Sequence, residues 1–216
     1  FGPSYKYTGK EVTDFIKNGF PVSAKVGGIT ILFVVLASIP MGILAAVKNG
    51  KWQDMVVMAI ATIGVTIPSF VIASVLIYIF SFKLNWLPTY GLDSWKGYIL
   101  PVITLGGYSV SYLARQMRSS LLEVMGQDYI RTARAKGLSE TKVIFKHALR
   151  NAMIPVITVL GPTIANLLTG SFVVEQIFAI PGLGVHFVNS VSQRDYTTIM
   201  GVTVFYATFL LAMVFI

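Results

Sequence analysis

The chain has 216 residues, of which 55% are hydrophobic and only 12% are charged, and its formal net charge at pH 7 is +8. Because a soluble domain has roughly a quarter of its residues charged, this composition excludes an ordinary soluble domain and indicates a membrane protein. The basic residues lie between the apolar runs and not within them, which excludes a nucleic-acid-binding stripe, and the absence of Cys excludes disulfides and thiolate metal sites.

The apolar runs predict an all-α, polytopic membrane protein with five transmembrane helices. In chain order, the predicted spans are residues 26–47, 55–82, 98–113, 152–174 and 197–216. The first has no charge and, at about 1.5 Å of rise per residue, reaches roughly 33 Å, which is enough for the hydrocarbon core. Kinks are predicted where proline removes a backbone donor, at Pro40, Pro68, Pro155 and Pro162.

Residues 1–21 are predicted to form an outer-face interfacial segment, followed by a transmembrane domain over residues 22–216. Thr8 and Glu11 have capping-box spacing, and Gly19 followed by Pro21 predicts that a short helix ends and a new one begins. The chain opens at Phe1 and stops within an apolar run, so we expect both termini to be trimmed and an earlier span to be missing.

Basic residues in the short loops predict the orientation. Lys48 and Lys51 separate the first two spans, and residues 115–150 hold eight of the 17 Lys and Arg residues. Both loops are therefore predicted to be cytoplasmic, which places residues 1–25 and the other two loops outside. Arg115 and Arg118, at the end of the short third span, are expected to extend their charged ends to the interface.

Several functions lack the residues that they need. No Asp, Glu, Lys or Arg lies in the middle of a predicted span, where an ion-coupled secondary carrier places an ionisable group. An intramembrane enzyme needs a nucleophile paired with a base, and His147 and His186 lie in opposite loops, so we predict no catalytic residue, metal site or cofactor in this chain. No G-x-x-x-x-G-K-[ST] motif occurs, so the chain cannot hydrolyse ATP alone. A structural membrane scaffold remains compatible with the composition.

Small and hydroxylated residues inside the spans are candidates for a hydrated path. Asn166 is the strongest candidate, because its amide needs polar partners that lipid cannot give. Thr163 and Ser69 are further candidates. The alternative is that small residues let helices approach closely while Ser and Thr bond to the backbone.

The polar segment after the third span has the pattern of two helices joined by a turn. Asp128 is predicted to be an N-cap, residues 129–136 give about two helical turns, Gly137 is a natural residue to turn the chain, and Ser139 can cap the next helix. The first helix is expected to expose small residues that let a partner come close, among charges that set its orientation. The small residues are Thr132, Ala133 and Ala135, and the charged ones are Arg131, Arg134 and Lys136. Contact with anionic lipid is the alternative.

This segment carries a resemblance to a known family. Residues 127–139, QDYIRTARAKGLS, followed by HALRNA at 147–152 and Pro155, closely resemble the cytoplasmic signature of permease subunits of bacterial ABC importers for oligopeptides and dipeptides. Further resemblance comes from FAIPGLG at 178–184, and from VE at 174–175, RDY at 194–196, IPSF at 67–70 and LP at 87–88. The resemblance extends over essentially the whole chain in the expected order.

The resemblance implies a type I ABC importer transmembrane domain, multi-pass in the bacterial inner membrane, that carries peptides. Close relatives carry nickel or another small solute, which is the alternative substrate. The implied partners are a homologous second permease, two cytoplasmic subunits that bind ATP and Mg, an extracytoplasmic substrate-binding protein and membrane lipid. The resemblance also implies one earlier span and an outer domain in full-length members.

Within the chain, the resemblance implies a cytoplasmic coupling loop at about residues 119–150, whose helix seats in a groove of the ATPase. Ala133 and Gly137 match the general importer motif, whereas Arg131 and Thr132 occupy its Glu and first Ala positions. The implied coupling residues are Asp128, Arg131, Thr132, Ala133, Arg134, Ala135, Lys136, Gly137, Leu138 and Ser139. On the outer side, Pro181, Gly182 and Gly184 are implied to form part of a gate or of the surface facing the binding protein, and a rigid turn is the alternative.

Overall fold

A computed structural model describes residues 1–215, and these residues form ten α-helices joined by short turns. Two π-helical segments continue them, Ile77–Lys83 after α3 and Val143–Ala148 between α6 and α7. Within the described part of the chain the only extended pairing is one isolated bridge between Pro3 and Glu11. The helices are α1 Val12–Val47, α2 Trp52–Thr66, α3 Ser69–Leu76, α4 Trp95–Met125, α5 Asp128–Ala135, α6 Glu140–Lys142, α7 Leu149–Leu168, α8 Phe172–Ile177, α9 Leu183–Gln193 and α10 Tyr196–Val214.

Four stretches of helix among the described residues are long and apolar enough to cross a membrane. They are Val12–Val47, Trp95–Met125, Glu140–Ile177 and Tyr196–Met213. The pair α2 and α3 adds a fifth if the two bent helices count as one span. The predicted all-α fold is therefore confirmed, and so is the predicted number of five spans when α2 and α3 are counted as one. Ile216, the last residue of the fifth predicted span, lies outside the described residues.

The second predicted span is not one straight helix. α2 ends at Thr66, α3 begins at Ser69, and the two helices are bent by 109° at this break. Pro68 has extended backbone angles, with φ −58° and ψ 141°, and it has no N–H to continue the ladder of α2. The kink predicted at Pro68 is confirmed, whereas α1 and α7 continue through their prolines without a break.

The predicted helix end before the first span is wrong. α1 runs unbroken from Val12 through Gly19 and Pro21 to Val47. Gly19 serves close packing instead of a helix end, because a Cβ there would lie 2.9 Å from the Leu183 backbone. The capping contact at the start of α1 also lies three residues later than the predicted pair of Thr8 and Glu11, since the Glu11 N–H donates to the Asp14 carboxylate at 2.9 Å. The interfacial role of residues 1–21 stays a prediction.

The chain divides into two compact units, the first comprising Phe1–Phe33, Ile67–Gly106 and Gly161–Ile216. Its apolar core is a cluster from α1, α3, α4, α8 and the turn after α8, whose buried members are Val26, Ala73, Leu100, Val174, Phe178 and Ile180. The N-terminal segment is tied to the start of α10, because Ser4 Oγ and the Tyr5 N–H both donate to the buried Asp195 carboxylate. The same carboxylate caps α10 by accepting from Thr198 Oγ1 at 2.9 Å.

The second unit comprises Val34–Thr66 and Gly107–Leu160. One face of α4 is buried in it at helical spacing, through Val110, Leu113, Ala114, Met117 and Leu121. Ser120 Oγ donates to the Ala152 carbonyl at 2.8 Å, so α4 and α7 are hydrogen-bonded to each other on either side of the polar segment. α5 packs against the π-helical segment Val143–Ala148.

Candidate functional site

α5 is a helix of two turns with a defined end. It begins at Asp128 after an extended Gln127, so Asp128 is the first helical residue and its predicted role as N-cap is wrong. The predicted role of Gly137 is confirmed, because it adopts φ +76° directly after the C-cap Lys136. The Gly137 N–H donates to the Arg134 carbonyl at 2.9 Å and the Leu138 N–H to that of Ala133 at 3.4 Å. This pair of bonds is a Schellman motif, in which only glycine takes the left-handed residue without strain.

The two faces of α5 differ in what they contact. Ile130 is 0% exposed and Ala133 is 7% exposed. Because one helical turn separates these two residues, both lie on the side of α5 that packs against Val143–Ala148. The expectation that Ala133 is exposed to a partner is therefore wrong. The opposite face is exposed and consists of Asp128, Tyr129, Arg131, Thr132, Ala135 and Lys136.

Contacts within the segment hold α5 in place. Arg134 forms a two-pronged ion pair with Glu140, with N–O distances of 2.8 and 3.2 Å. Asn151 Nδ2 donates to the Tyr129 hydroxyl at 2.8 Å. Ser139 occupies the N-cap position of α6 as predicted, but its side chain makes no capping hydrogen bond. α5 is thus a preformed element that presents one polar face.

The candidate path residues lie on two different helices. Asn166 is exposed and Thr163 is partly exposed, and they lie one turn apart on α7. Ser69 is the first residue of α3, directly after the break at Pro68, and is also partly exposed. The structure thus brings Asn166 and Thr163 to neighbouring turns, while Ser69 belongs to a separate element.

Pro181, Gly182 and Gly184 lie in the turn that leads into α9. Pro181 is exposed, whereas the two glycines are buried against the side chain of Glu175. A Cβ on Gly184 would lie 2.7 Å from Glu175 Oε2, and one on Gly182 would lie closer still. The glycines are needed because the carboxylate lies against the backbone of this turn.

Glu175, which is only 3% exposed, organises this turn. Its carboxylate accepts from Ser23 Oγ at 2.6 Å and from the Gly184 N–H at 2.8 Å, and also from the Val185 N–H. Ser23 Oγ in turn accepts from the Leu183 N–H at 2.9 Å. The N-terminus of α9 thereby receives acceptors for N–H groups that have no acceptor within the helix. The sequence showed only an acid between an apolar run and a glycine-rich turn.

Two titratable groups near the start and end of α9 have shifted pKa values. Burial raises the pKa of Asp195, but hydrogen bonds from Ser4, Tyr5 and Thr198 outweigh it and hold the pKa below the ordinary value. Burial lowers the pKa of His186, and the charge of Lys10 lowers it further. His186 is half-buried with its ring 5.1 Å from that of Phe15. Both groups therefore favour their deprotonated forms in the folded state.

Arg118 has a partner that the sequence does not reveal. Its guanidinium forms a fork with the carboxylate of Asp54 on α2, with N–O distances of 2.6 and 2.7 Å. The apolar pattern indicates no partner on another helix, and the expectation that Arg118 reaches the membrane interface stays a prediction.

Comparison with known proteins gives a consistent result. Residues 38–216 match the family described as Binding-protein-dependent transport system inner membrane component. The chain is 47% identical over 216 residues to the dipeptide transport system permease protein DppB of Bacillus subtilis, an alignment that covers 100% of this chain and 70% of that protein. It is 45% identical over 214 residues to the oligopeptide transport system permease protein OppB of Haemophilus influenzae, covering 96% of this chain and 69% of that protein.

Solved structures resemble the chain in fold. The crystal structure of an amino acid ABC transporter with histidines superposes with a TM-score of 0.72 at 17% identity, covering 93% of this chain and 90% of that chain. At this identity the likeness concerns the fold alone, and it agrees with the predicted polytopic helical architecture.

Proposed function

The chain belongs to the family of binding-protein-dependent transport system inner membrane components, and from this premise we propose that it forms the peptide path of an ATP-driven importer together with a homologous second permease. The similarity to dipeptide and oligopeptide permeases, at 47% and 45% identity, supports peptides as the cargo. Import of nickel or another small solute and ion-coupled transport are not favoured by these relatives. ATP hydrolysis belongs to two partner subunits, and an extracytoplasmic binding protein delivers the peptide.

The observation that carries this proposal is the exposed polar face of α5. A two-turn helix of which one side is fixed to the chain's own apolar residues and the other is solvated is suited to enter a groove on a partner. We assign the ATPase contacts to its exposed residues, which are Asp128, Arg131, Thr132, Ala135 and Lys136. Ala133, Arg134, Gly137 and Leu138 hold the helix in its orientation through the packing, the ion pair and the turn described above, and Ser139 begins the helix that follows.

Energy enters the chain through α5. ATP binding closes the two partner subunits, which draws the α5 helices of the two permeases together and changes the packing of the spans. Because the chain has no ATPase site of its own, the bias between inward-open and outward-open states comes from the different contacts that α5 makes with the ATPases in each state. The Ser120–Ala152 hydrogen bond makes α4 and α7 respond together.

The remaining candidate residues have roles in the path and at its outer end. Asn166 and Thr163 on α7 and Ser69 on α3 present hydrogen-bonding groups to a hydrated path. Pro181, Gly182 and Gly184 form the outer turn that faces the path or the binding protein, and Glu175 keeps this turn rigid.

A pair of alanines in α5 tests the assignment. Ala135→Trp places a large side chain on the exposed face, so the ATPases should no longer co-purify with the complex, while membrane abundance and Tm stay unchanged. Ala133→Trp places the same side chain in the buried contact with Val143–Ala148, so abundance and Tm should fall instead. Thr89→Trp, at an exposed position in a predicted outer loop, is the control. Undiminished co-purification of the ATPases with Ala135→Trp would show that this face contacts lipid.

A further inference from the structure

The fork between Arg118 and Asp54 joins two helices of the second unit near the polar segment. Arg118 Nε and Nη2 donate to the two carboxylate oxygens of Asp54 at 2.6 and 2.7 Å. Arg118 Nη2 also donates to Asn49 Oδ1 at 2.8 Å, and the Gly50 N–H donates to Asp54 at 3.0 Å. One cluster of polar contacts thus connects α4, the first turn of α2 and the turn between α1 and α2.

Stability alone is a poor explanation for this cluster. Asp54 is only 4% exposed, whereas the side chain of Arg118 is 26% exposed, so the carboxylate loses its hydration and water still screens the guanidinium. An ion pair of this kind contributes little net stability, because desolvation and screening offset the attraction between the charges. A guanidinium–carboxylate fork does fix distance and orientation, since its two parallel bonds break together when either helix slides or rotates. Apolar contacts have no such direction. The cluster is therefore suited to make two helices move as one.

The position of Arg118 connects the fork to α5. Arg118 lies two turns before the end of α4 at Met125, and α5 begins at Asp128. Continuous helix joins Arg118 to that end, and Ser120 holds the same stretch to the Ala152 carbonyl of α7. A displacement of α5 is thereby passed to α4 and α7 and, through Arg118, to the start of α2.

We propose that Arg118 and Asp54 are positioning residues that make the beginning of α2 follow α4 when the coupling loop moves, so that ATP hydrolysis stays tied to peptide movement. This inference rests on the proposed function, and it adds a second transmission contact that the signature at residues 127–139 does not contain. Loss of the fork leaves α5 free to engage the ATPases while α2 no longer responds.

A double-mutant cycle tests the proposal in the assembled transporter, reconstituted with its second permease, ATPases and binding protein. Asp54→Asn and Arg118→Gln should each lower peptide uptake per ATP hydrolysed by about tenfold, while ATP turnover per assembled complex stays within about twofold of wild type. The double variant should be no worse than either single variant, because both remove the same contact. Arg115→Gln, one turn earlier on α4 and exposed, is the control and should keep the wild-type ratio.

Two results would overturn the proposal. One is single variants with a wild-type ratio of uptake to hydrolysis, or with uptake and hydrolysis lowered in proportion, as a merely structural defect produces. The other is losses that add in the double variant, which would give the two residues separate roles.

A spectroscopic measurement tests the role of the fork independently of which cargo the transporter carries. The chain has no Cys, so Met55→Cys, exposed and next to Asp54, can carry a single nitroxide label. In the transporter with an intact fork, trapping the ATPases with ATP and vanadate should change the mobility of this label, and Asp54→Asn should abolish the change. A response of the label without dipeptide uptake would refute the peptide assignment and keep the fork, whereas a label that does not respond despite uptake would refute the fork.

Discussion

Gly137 is the residue on which the orientation of α5 depends. At φ +76° a side chain with a Cβ is strained by about 1 kcal/mol or more, and a β-branched one by more. We predict that Gly137→Val disrupts the Schellman turn and lowers peptide uptake at unchanged membrane abundance, while ATP hydrolysis by the complex continues. Gly126→Val is the matched control, because Gly126 lies at the other end of α5 and does not have a positive φ. Normal uptake by Gly137→Val would count against a coupling role for this turn.

Glu175 is predicted to be the most sensitive single position of the outer turn. Glu175→Ala leaves the N–H groups of Gly184 and Val185 buried without their acceptor, at a cost of about 1–3 kcal/mol for each group. Thermal unfolding in detergent should show Tm lowered by about 5 °C or more. Gln176→Ala, at the exposed neighbouring position, should leave Tm nearly unchanged. Equal Tm values for the two variants would refute the structural role of the carboxylate.

His186 should make the stability of the first unit depend on pH. Its pKa is lowered by burial and then by Lys10, so the folded state favours the neutral ring. Its contribution is therefore complete above the ordinary histidine pKa of about 6.5 and is lost as pH falls from there through the folded pKa. Tm should fall between about pH 7.5 and 5 in wild type, and less in His186→Asn.

Two lysine variants serve as controls for this pH dependence. Lys10→Met removes the second cause of the shift and should weaken the dependence, whereas Lys6→Met, at an exposed position that does not contribute to the shift, should leave it intact. The same fall of Tm in wild type and His186→Asn would rule out His186 as its origin.

Residue roles set by local backbone rules could be predicted, and those set by distant contacts could not. Gly137 and Ser139 follow from the order of capping residues along the chain, and both occupy their predicted positions. The surroundings of Ala133 and Arg118 could not be predicted, because they come from segments 10 or more residues away. The role of Glu175 depends on Ser23, which lies 152 positions earlier.

At the level of helices, α1 and the break at Pro68 show that a proline does not by itself determine whether a helix ends. Pro21 and Pro68 each follow a residue of an apolar pattern, yet α1 continues through the first and α2 ends before the second. Tertiary packing of Gly19 against the Leu183 backbone favours the continuous helix. Long apolar helices and the kink at Pro68 were therefore predictable, whereas the continuity of α1 through Gly19 and Pro21 was not.

Replacing Pro21 and Pro68 by alanine should change Tm in opposite directions. Pro21→Ala restores a helical hydrogen bond inside α1, where proline costs up to about 3 kcal/mol relative to alanine, so Tm should rise. Pro68→Ala permits helix where the chain must take extended angles, so Tm should fall. Both measurements use the purified chain in detergent. A lower Tm for Pro21→Ala would indicate that α1 is interrupted there, as the sequence pattern suggested.

At the scale of the whole molecule, the composition and the apolar runs predict the long helices, while the orientation predicted from loop charge stays a prediction. Burial in lipid requires long helices whose backbone groups are satisfied internally, and this requirement is visible in the sequence. The division into two compact units was not predictable, because each unit collects parts of several helices that are far apart along the chain. The kink at Pro68 was predictable from the missing N–H of proline, but its size of 109° was not.

The predicted orientation can be measured with single cysteines, because the chain has none of its own. Lys142→Cys, in the predicted cytoplasmic loop, should react with a membrane-impermeant maleimide only in inverted vesicles. Thr89→Cys, in a predicted outer loop, should react only in right-side-out vesicles. Both positions are exposed. The reverse labelling pattern would invert the topology and remove α5 from the cytoplasm.

The central claim is that this membrane subunit moves peptide only when partner ATPases act on it through α5. The most direct measurement is uptake of a labelled dipeptide into proteoliposomes that contain either the chain alone under a proton or sodium gradient, or the complete set of permeases, ATPases and binding protein with ATP. Concentrative uptake should occur only in the complete system and should stop when ATP is replaced by a non-hydrolysable analogue. Concentrative uptake by the chain alone, driven by an ion gradient, would contradict the account.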